Sequence, residues 1–183
     1  RRKFGRDVVH RWEGNPVITR DDLTFNCHNM YNAGCIKIGK DYVLLITIEK
    51  LDGRPAIFLA KSKDGLHFEV EGKPFIDSSS DAVYKEYEER GVLDARITHF
   101  NGDYYIMYLS VSKHGFILNL GKTRDFVSFE KMGIISQPDT KAGALFTRKI
   151  KGKFVRLERP NAGGSIWITF SEDLLTWGES EVL

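Results

Sequence analysis

Short apolar runs alternate with glycine-containing turns from about residue 32 onward, and this pattern occurs three times. In each unit, a turn with glycine leads into an apolar run that begins with an aromatic residue, and these residues are Tyr42, Tyr104 and Phe154. The markers are 62 and 50 positions apart. Repeats of this length, built from short strands, indicate the blades of a β-propeller. No useful stretch has helical periodicity, so the sequence predicts an all-β fold.

Each unit ends with the phrase Ser/Thr-x-Asp-x-x-x-Phe/Trp, and its aligned aspartates are Asp64, Asp125 and Asp173. Their spacings of 61 and 48 residues nearly equal those of the aromatic markers, which argues against chance. An Asp side chain can accept hydrogen bonds from the amides of a turn, and the aromatic residue can pack between neighbouring blades. We therefore predict a structural role for these aspartates, although they recur like a catalytic motif.

The repeat predicts three four-stranded blades at roughly residues 30–80, 93–137 and 141–183, after a lead-in over residues 1–29. Known propellers have about four to eight blades. Three blades alone would leave strand edges and apolar faces uncovered. We therefore expect residues 1–183 to be part of a single catalytic propeller domain whose remaining blades come from a longer chain or from elsewhere.

Composition narrows the range of partners. The chain has 27 basic and 25 acidic residues and no long basic run, so nucleic-acid binding is not predicted. No apolar run reaches the length of a membrane span, and no signal peptide is recognisable, so both a cytoplasmic and a periplasmic location stay open. Cys27 and Cys35 fit no zinc spacing, and free thiols are favoured over a disulfide. The histidines are scattered, so no metal is predicted.

The most informative stretch is an acid-rich loop that runs into Gly91 and then into an apolar strand with Asp94 and Arg96 at its start. Alternation in a strand predicts that these two side chains share one face. Counting back ten residues from Tyr42 and Tyr104 gives Asn32 and Asp94, so the repeat predicts equivalent inner-strand positions for both. An ion pair that only fixes a loop is an equally weighted alternative for Asp94.

Several phrases in this order carry a family resemblance. They include Tyr31-Asn32-Ala33-Gly34, the stretch from Gly91 to Thr98, the phrase from Lys141 to Phe146, and Leu157-Glu158-Arg159-Pro160. The chain resembles glycoside hydrolase family 130, which comprises mannoside phosphorylases and β-1,2-mannosidases. The resemblance implies a five-bladed β-propeller, of which this chain supplies about three blades.

The resemblance also implies an inverting mechanism in which Asp94 protonates the leaving oxygen, through a sugar hydroxyl. Substrate-binding roles follow for Asn32 and Arg96. In phosphorylases of the family, a basic cluster holds phosphate, and its members here are Lys141 and Arg159. The implied partners are a mannose-containing oligosaccharide and, for a phosphorylase, inorganic phosphate. No cofactor and no metal are implied, and a homo-oligomer is left open.

The chain departs from the phosphorylase pattern at two places. Glu158 stands where a phosphorylase has His, and Thr47 stands where an Arg is usual. Two like charges about 4 Å apart repel by roughly 4 kcal/mol at an effective dielectric of 20, so a carboxylate is hostile to phosphate. In inverting hydrolases a second carboxylate, about 6.5–9.5 Å from the acid, activates water.

The departures predict an inverting hydrolase of β-mannosides, of the β-1,2-linked kind, with Asp94 as general acid and Glu158 as general base. Three alternatives stay open. The chain could belong to a β-mannoside phosphorylase that tolerates Glu158, or to a propeller that binds glycans without cleaving them. For Glu158 itself, the alternative is a salt bridge to Arg156 or Arg159 at a strand edge.

Overall fold

The computed structural model describes residues 11–161 and 164–183. These residues form three four-stranded antiparallel sheets, each with its strands in chain order. The first sheet contains β1 (Asn29–Ile38), β2 (Asp41–Glu49), β3 (Pro55–Ser62) and β4 (Glu69–Ile76). The second contains β5 (Val92–Phe100), β6 (Asp103–Ser112), β7 (Gly115–Thr123) and β8 (Glu130–Ile134). The third contains β9 (Thr140–Leu145), β10 (Phe154–Pro160), β11 (Trp167–Ser171) and β12 (Trp177–Val182).

Helical structure in the described ranges is limited to a 3₁₀ turn, Arg20–Asp22, and one short helix, α1 (Ala82–Lys85). Neither has the length or the apolar character to cross a membrane. The prediction of an all-β fold is therefore confirmed, and the first strand of every sheet is an edge strand of that sheet.

The first strands of the three sheets lie side by side, since β1 contacts β5 and β5 contacts β9. Gly34 permits a close approach of β1 to β5, because a Cβ atom there would overlap the carbonyl oxygen of Ala95. The sheets pack on one another through their broad faces, as the blades of a propeller do. The start of β1 and the start of β5 are consequently close together, since Thr47 contacts both Asn32 and Asp94.

Three apolar clusters hold the sheets in place. One lies between the first and second sheets, and its buried members include Leu45, Leu59, Ile106 and Tyr108. A second lies between the second and third sheets and includes Leu118, Leu120 and Leu145. The third covers the free face of the first sheet, where Ile18, Leu23, Phe25 and Cys27 from the lead-in pack against it. The lead-in is therefore a packing element of the first sheet.

The closing phrases of the three units form equivalent turns. In each, the Asp Oδ1 atom accepts hydrogen bonds from the backbone N–H groups two and three residues later, at 2.7–3.0 Å. These backbone bonds are the main cause that lowers the pKa of Asp125 and Asp173. The predicted structural role of Asp64, Asp125 and Asp173 is confirmed. Cys27 and Cys35 are free thiols, as predicted.

Candidate active site

The insertion between β4 and β5 is anchored by a buried carboxylate. Glu88 has no exposed surface, and its two oxygens lie 2.7 and 2.6 Å from Lys131 Nζ. The backbone N–H of Ser79 donates to Glu88 at 2.6 Å, and the Tyr108 hydroxyl lies 3.4 Å away. Burial, together with the charge of Glu88, raises the pKa of Tyr108 well above its ordinary value. This network fixes the end of the insertion that leads into Gly91 and β5.

Asp94 lies in a bulge near the start of β5. The pairing with β6 passes from Leu93 directly to Arg96, so Asp94 and Ala95 together face one residue of the neighbouring strand. Asp94 has a φ of 60°, in the left-handed region that non-glycine residues seldom adopt. Bulges of this kind change the direction in which a side chain points, and they are common beside active sites. The backbone therefore sets the direction of the Asp94 carboxyl group.

The side chains of Asp94 and Arg96 are in contact, as predicted, with 2.6 Å between Oδ1 and Nη2. The reason given by strand alternation is wrong, because the bulge breaks the period of two at this point. The contact is a close ion pair without a well-aligned hydrogen bond, and Asp94 Oδ1 has no hydrogen-bond partner among the described residues. The Asp94 side chain is only 14% exposed. Arg96 therefore neutralises a nearly buried carboxylate at the bulge.

Asn32 occupies the corresponding place in β1. It also lies at a bulge, between Tyr31 and Ala33, and its φ of 45° is left-handed. The equivalence of Asn32 and Asp94, which the repeat predicted, is confirmed by these shared features. Thr47 in β2 lies between them, since its Oγ1 accepts the Asp94 N–H at 2.9 Å and is 3.5 Å from the carbonyl oxygen of Asn32.

Tyr31 adds a phenol to this group, at a position where the sequence alone leaves stacking on a sugar and packing in the core both open. Its pKa is raised, first by burial and then by the negative charges of Glu49 and Asp94. Tyr31 and Thr47 are directly opposite each other in the β1–β2 pairing, so their side chains share one face of the first sheet.

Glu158 lies inside the third sheet, with 9% of its surface exposed. Its Oε1 accepts a hydrogen bond from the Thr169 hydroxyl at 2.7 Å, and its Oε2 forms an ion pair with Arg156 Nη2. Arg156 is itself buried, donates to the carbonyl oxygen of Ile135 at 2.6 Å, and lies over the ring of Trp177. Burial is the main cause that lowers the pKa of Arg156, and Glu158 opposes it.

The expected alternative for Glu158, a salt bridge to Arg156, is therefore present. Its expected location at a strand edge is wrong, because β10 lies between β9 and β11. Arg156 balances the negative charge of Glu158 within the same strand. The repulsion expected between Glu158 and phosphate is correspondingly weaker. The role of Glu158 as a general base stays a prediction.

Lys141 and Arg159 belong to the third sheet and are both exposed. Lys141 is in β9, and its Nζ lies 5.4 Å from the ring centroid of Phe116. Arg159 lies where the pairing of β10 with β9 becomes irregular, between Glu158 and Pro160. Their roles as phosphate or substrate ligands, like those of Asn32 and Arg96, stay predictions.

Comparison with known proteins decides the family. Residues 1–182 match the family model of glycoside hydrolase family 130, described as beta-1,4-mannooligosaccharide phosphorylase. The chain belongs to glycoside hydrolase family 130. A solved relative, β-1,2-mannobiose phosphorylase from Listeria innocua in complex with β-1,2-mannobiose, superposes with a TM-score of 0.83 at 26% identity. The superposition covers 94% of this chain and 65% of that chain.

Two curated relatives in family 130 are phosphorylases. The beta-1,2-mannobiose phosphorylase of Listeria innocua serovar 6a is 36% identical over 127 residues, which are 67% of this chain and 34% of that protein. The 1,2-beta-oligomannan phosphorylase of a Thermoanaerobacter species is 34% identical over 121 residues, which are 64% of this chain and 38% of that protein. The matched regions thus span less than two fifths of these relatives, and the resemblance to the family and to its propeller fold is confirmed.

Proposed function

We propose that this family 130 chain is part of a β-mannoside phosphorylase that acts on β-1,2-linked mannooligosaccharides. Asp94 supplies the proton for the leaving oxygen, and inorganic phosphate attacks the anomeric carbon from the opposite side, with inversion. The observation that carries the proposal is the Asp94 carboxyl group, which is 14% exposed at an inner-strand bulge and lies 2.6 Å from the Arg96 guanidinium. The names of the related phosphorylases support the choice of phosphate over water as the acceptor.

The geometry of the third sheet is compatible with a phosphate acceptor. Glu158 is paired with Arg156, so the pair carries no net charge. Lys141 and Arg159 are exposed cations of the same sheet, and either could approach an anion in solution. A guanidinium and an ammonium group are the usual protein partners of phosphate oxygens. We therefore assign Lys141 and Arg159 to phosphate binding, and Asn32 and Arg96 to the sugar.

The second candidate is the inverting hydrolase predicted from the sequence. It is favoured by Glu158 and Thr47, which stand where the phosphorylase pattern has cationic or ionisable side chains. In this mechanism Glu158 takes a proton from water. Both of its oxygens are engaged, one by Thr169 and one by Arg156, so it would first have to leave its ion pair. The hydrolase is the second candidate because the curated relatives are named phosphorylases.

One product analysis separates the two candidates. The whole protein is incubated with β-1,2-mannobiose, with and without inorganic phosphate, and the products are quantified. A phosphorylase forms mannose 1-phosphate and mannose in equal amounts, and only when phosphate is present. A hydrolase forms two molecules of mannose per mannobiose at a rate independent of phosphate, and that result would overturn the proposal.

A further inference from the structure

Thr47 carries a buried hydroxyl within the apolar part of β2. The residues from Val43 to Ile48 are all buried, and Thr47 has no exposed surface. Its Oγ1 accepts the backbone N–H of Asp94 at 2.9 Å and faces the carbonyl oxygen of Asn32 at 3.5 Å. Since a hydroxyl can accept and donate at the same time, Thr47 can serve both inner strands.

The bulge explains why Asp94 needs this partner. A residue inside a β-bulge loses its regular place in the hydrogen-bond ladder between strands, and the pairing of β5 with β6 omits Asp94. A left-handed φ is also unfavourable for a residue with a Cβ atom, although Asp tolerates it better than most. The strand pairing does not hold the Asp94 backbone at this point, and its left-handed φ is intrinsically unfavourable. The Thr47 hydroxyl thus supplies a hydrogen bond that stabilises this backbone conformation.

We propose that Thr47 is a positioning residue, which holds the bulged backbone of Asp94 and thereby aims its carboxyl group. Its relevance to turnover rests on the proposed function, in which Asp94 is the proton donor.

The chain offers a matched control for this proposal. Thr98 is also a nearly buried threonine, and its Oγ1 donates to the carbonyl oxygen of Leu145 at 2.9 Å. That bond joins the second and third sheets. Thr98→Val therefore removes a buried hydroxyl of the same kind, without touching the backbone of Asp94.

The experiment compares Thr47→Val, Thr47→Ser and Thr98→Val with the unaltered protein. Valine keeps the shape of threonine and removes the hydroxyl, whereas serine keeps the hydroxyl. Amide hydrogen exchange and the Cα chemical shift of Asp94 are measured by NMR, and kcat and KM are measured with β-1,2-mannobiose and phosphate.

We expect Thr47→Val to accelerate exchange of the Asp94 amide by about tenfold or more, since one hydrogen bond is lost. We expect the kcat of Thr47→Val to fall by about 10²-fold, because the Asp94 carboxyl group would be misplaced, and we expect little change in KM. Thr47→Ser should restore both quantities, and Thr98→Val should leave the Asp94 amide unaffected. An unchanged Asp94 amide in Thr47→Val, or accelerated exchange with an unchanged kcat, would overturn the positioning role.

These readouts separate the two proposals. If the unaltered protein turns over no mannoside, the proposed function fails. The exchange rate and chemical shift of Asp94 then decide by themselves whether Thr47 holds its backbone, and an amide that exchanges equally fast in all four proteins rejects the inference.

Discussion

The buried ion pair between Lys131 and Glu88 provides a quantitative test of how the insertion is held. Lys131→Met keeps much of the side-chain volume but removes the ammonium group. Glu88 then loses its contacts of 2.7 and 2.6 Å and keeps only the Ser79 N–H and the distant Tyr108 hydroxyl. Removing one partner of a buried pair costs about 3–5 kcal/mol, because the other charge stays buried. Because Lys131 is 19% exposed, we expect Lys131→Met to lower the free energy of unfolding by about 3 kcal/mol, the lower end of that range.

Lys153→Met is the matched control. Lys153 Nζ also contacts both oxygens of a glutamate, Glu179, at 2.8 Å, but the two side chains are 31% and 69% exposed. Exposed pairs contribute about 0–1 kcal/mol. Urea unfolding at neutral pH gives the free energy of unfolding of each variant. Equal losses for the two variants, or a loss under about 1 kcal/mol for Lys131→Met, would refute the reasoning that burial sets the strength of the pair.

Two further predictions concern stability. Gly91→Ala should lower the free energy of unfolding by more than Gly102→Ala: both have a left-handed φ, which costs an alanine about 1–3 kcal/mol, but only at Gly91 would the new Cβ also overlap the Pro55 carbonyl oxygen. Thermal unfolding measures both variants, and equal losses would contradict the clash. The pKa of Asp125 is lower in the folded protein than its ordinary value of 3.8. As pH falls, Asp125 is therefore protonated in the unfolded chain before it is protonated in the folded protein. The stability that the carboxylate contributes above pH 3.8 is lost as pH drops through the folded pKa. Asp125→Asn should flatten this decline in unfolding temperature between about pH 5 and about pH 2, and an unaltered slope would exclude the carboxylate as a cause.

The repeat in the sequence predicted the features that are set locally. The closing phrases need only an Asp and the amides that follow it, so Asp64 and its equivalents were assigned correctly as turn residues. The offset from the aromatic markers identified Asn32 and Asp94 as equivalent, and both have a left-handed backbone. These results depend on short-range chemistry that recurs in each unit.

Features that depend on partners far along the chain were not predicted. The bulge at Asp94 follows from how β5 pairs with β6, and its hydrogen bond to Thr47 joins residues 47 positions apart. An isolated Thr within an apolar run was the available signal, since a buried hydroxyl needs a partner. The packing of the lead-in on the first sheet was missed for the same reason.

The prediction of hydrolysis rested on the charge of one residue, Glu158, without its neighbour in the strand. Glu158 favoured a hydrolase when its charge was considered alone. Arg156 lies two residues earlier in the same strand and therefore on the same face, and in the structure it pairs with Glu158. The sequence already contained this partner. The two curated relatives described above are phosphorylases by name, which favours the alternative over the main prediction.

The proposed role of Asp94 as the proton donor is tested most directly by Asp94→Asn, with Asp103→Asn as the control. Asp103 also pairs with an arginine, Arg124, at 2.6 Å, and its side chain is 16% exposed, against 14% for Asp94. It lies at the opposite end of the second sheet, beside the β5–β6 turn. Initial rates are measured on the whole protein with β-1,2-mannobiose and phosphate. We expect Asp94→Asn to lower kcat by at least about 10²-fold, as loss of a general acid does, and Asp103→Asn to leave it unchanged. Turnover by Asp94→Asn at the rate of the unaltered protein would contradict the account.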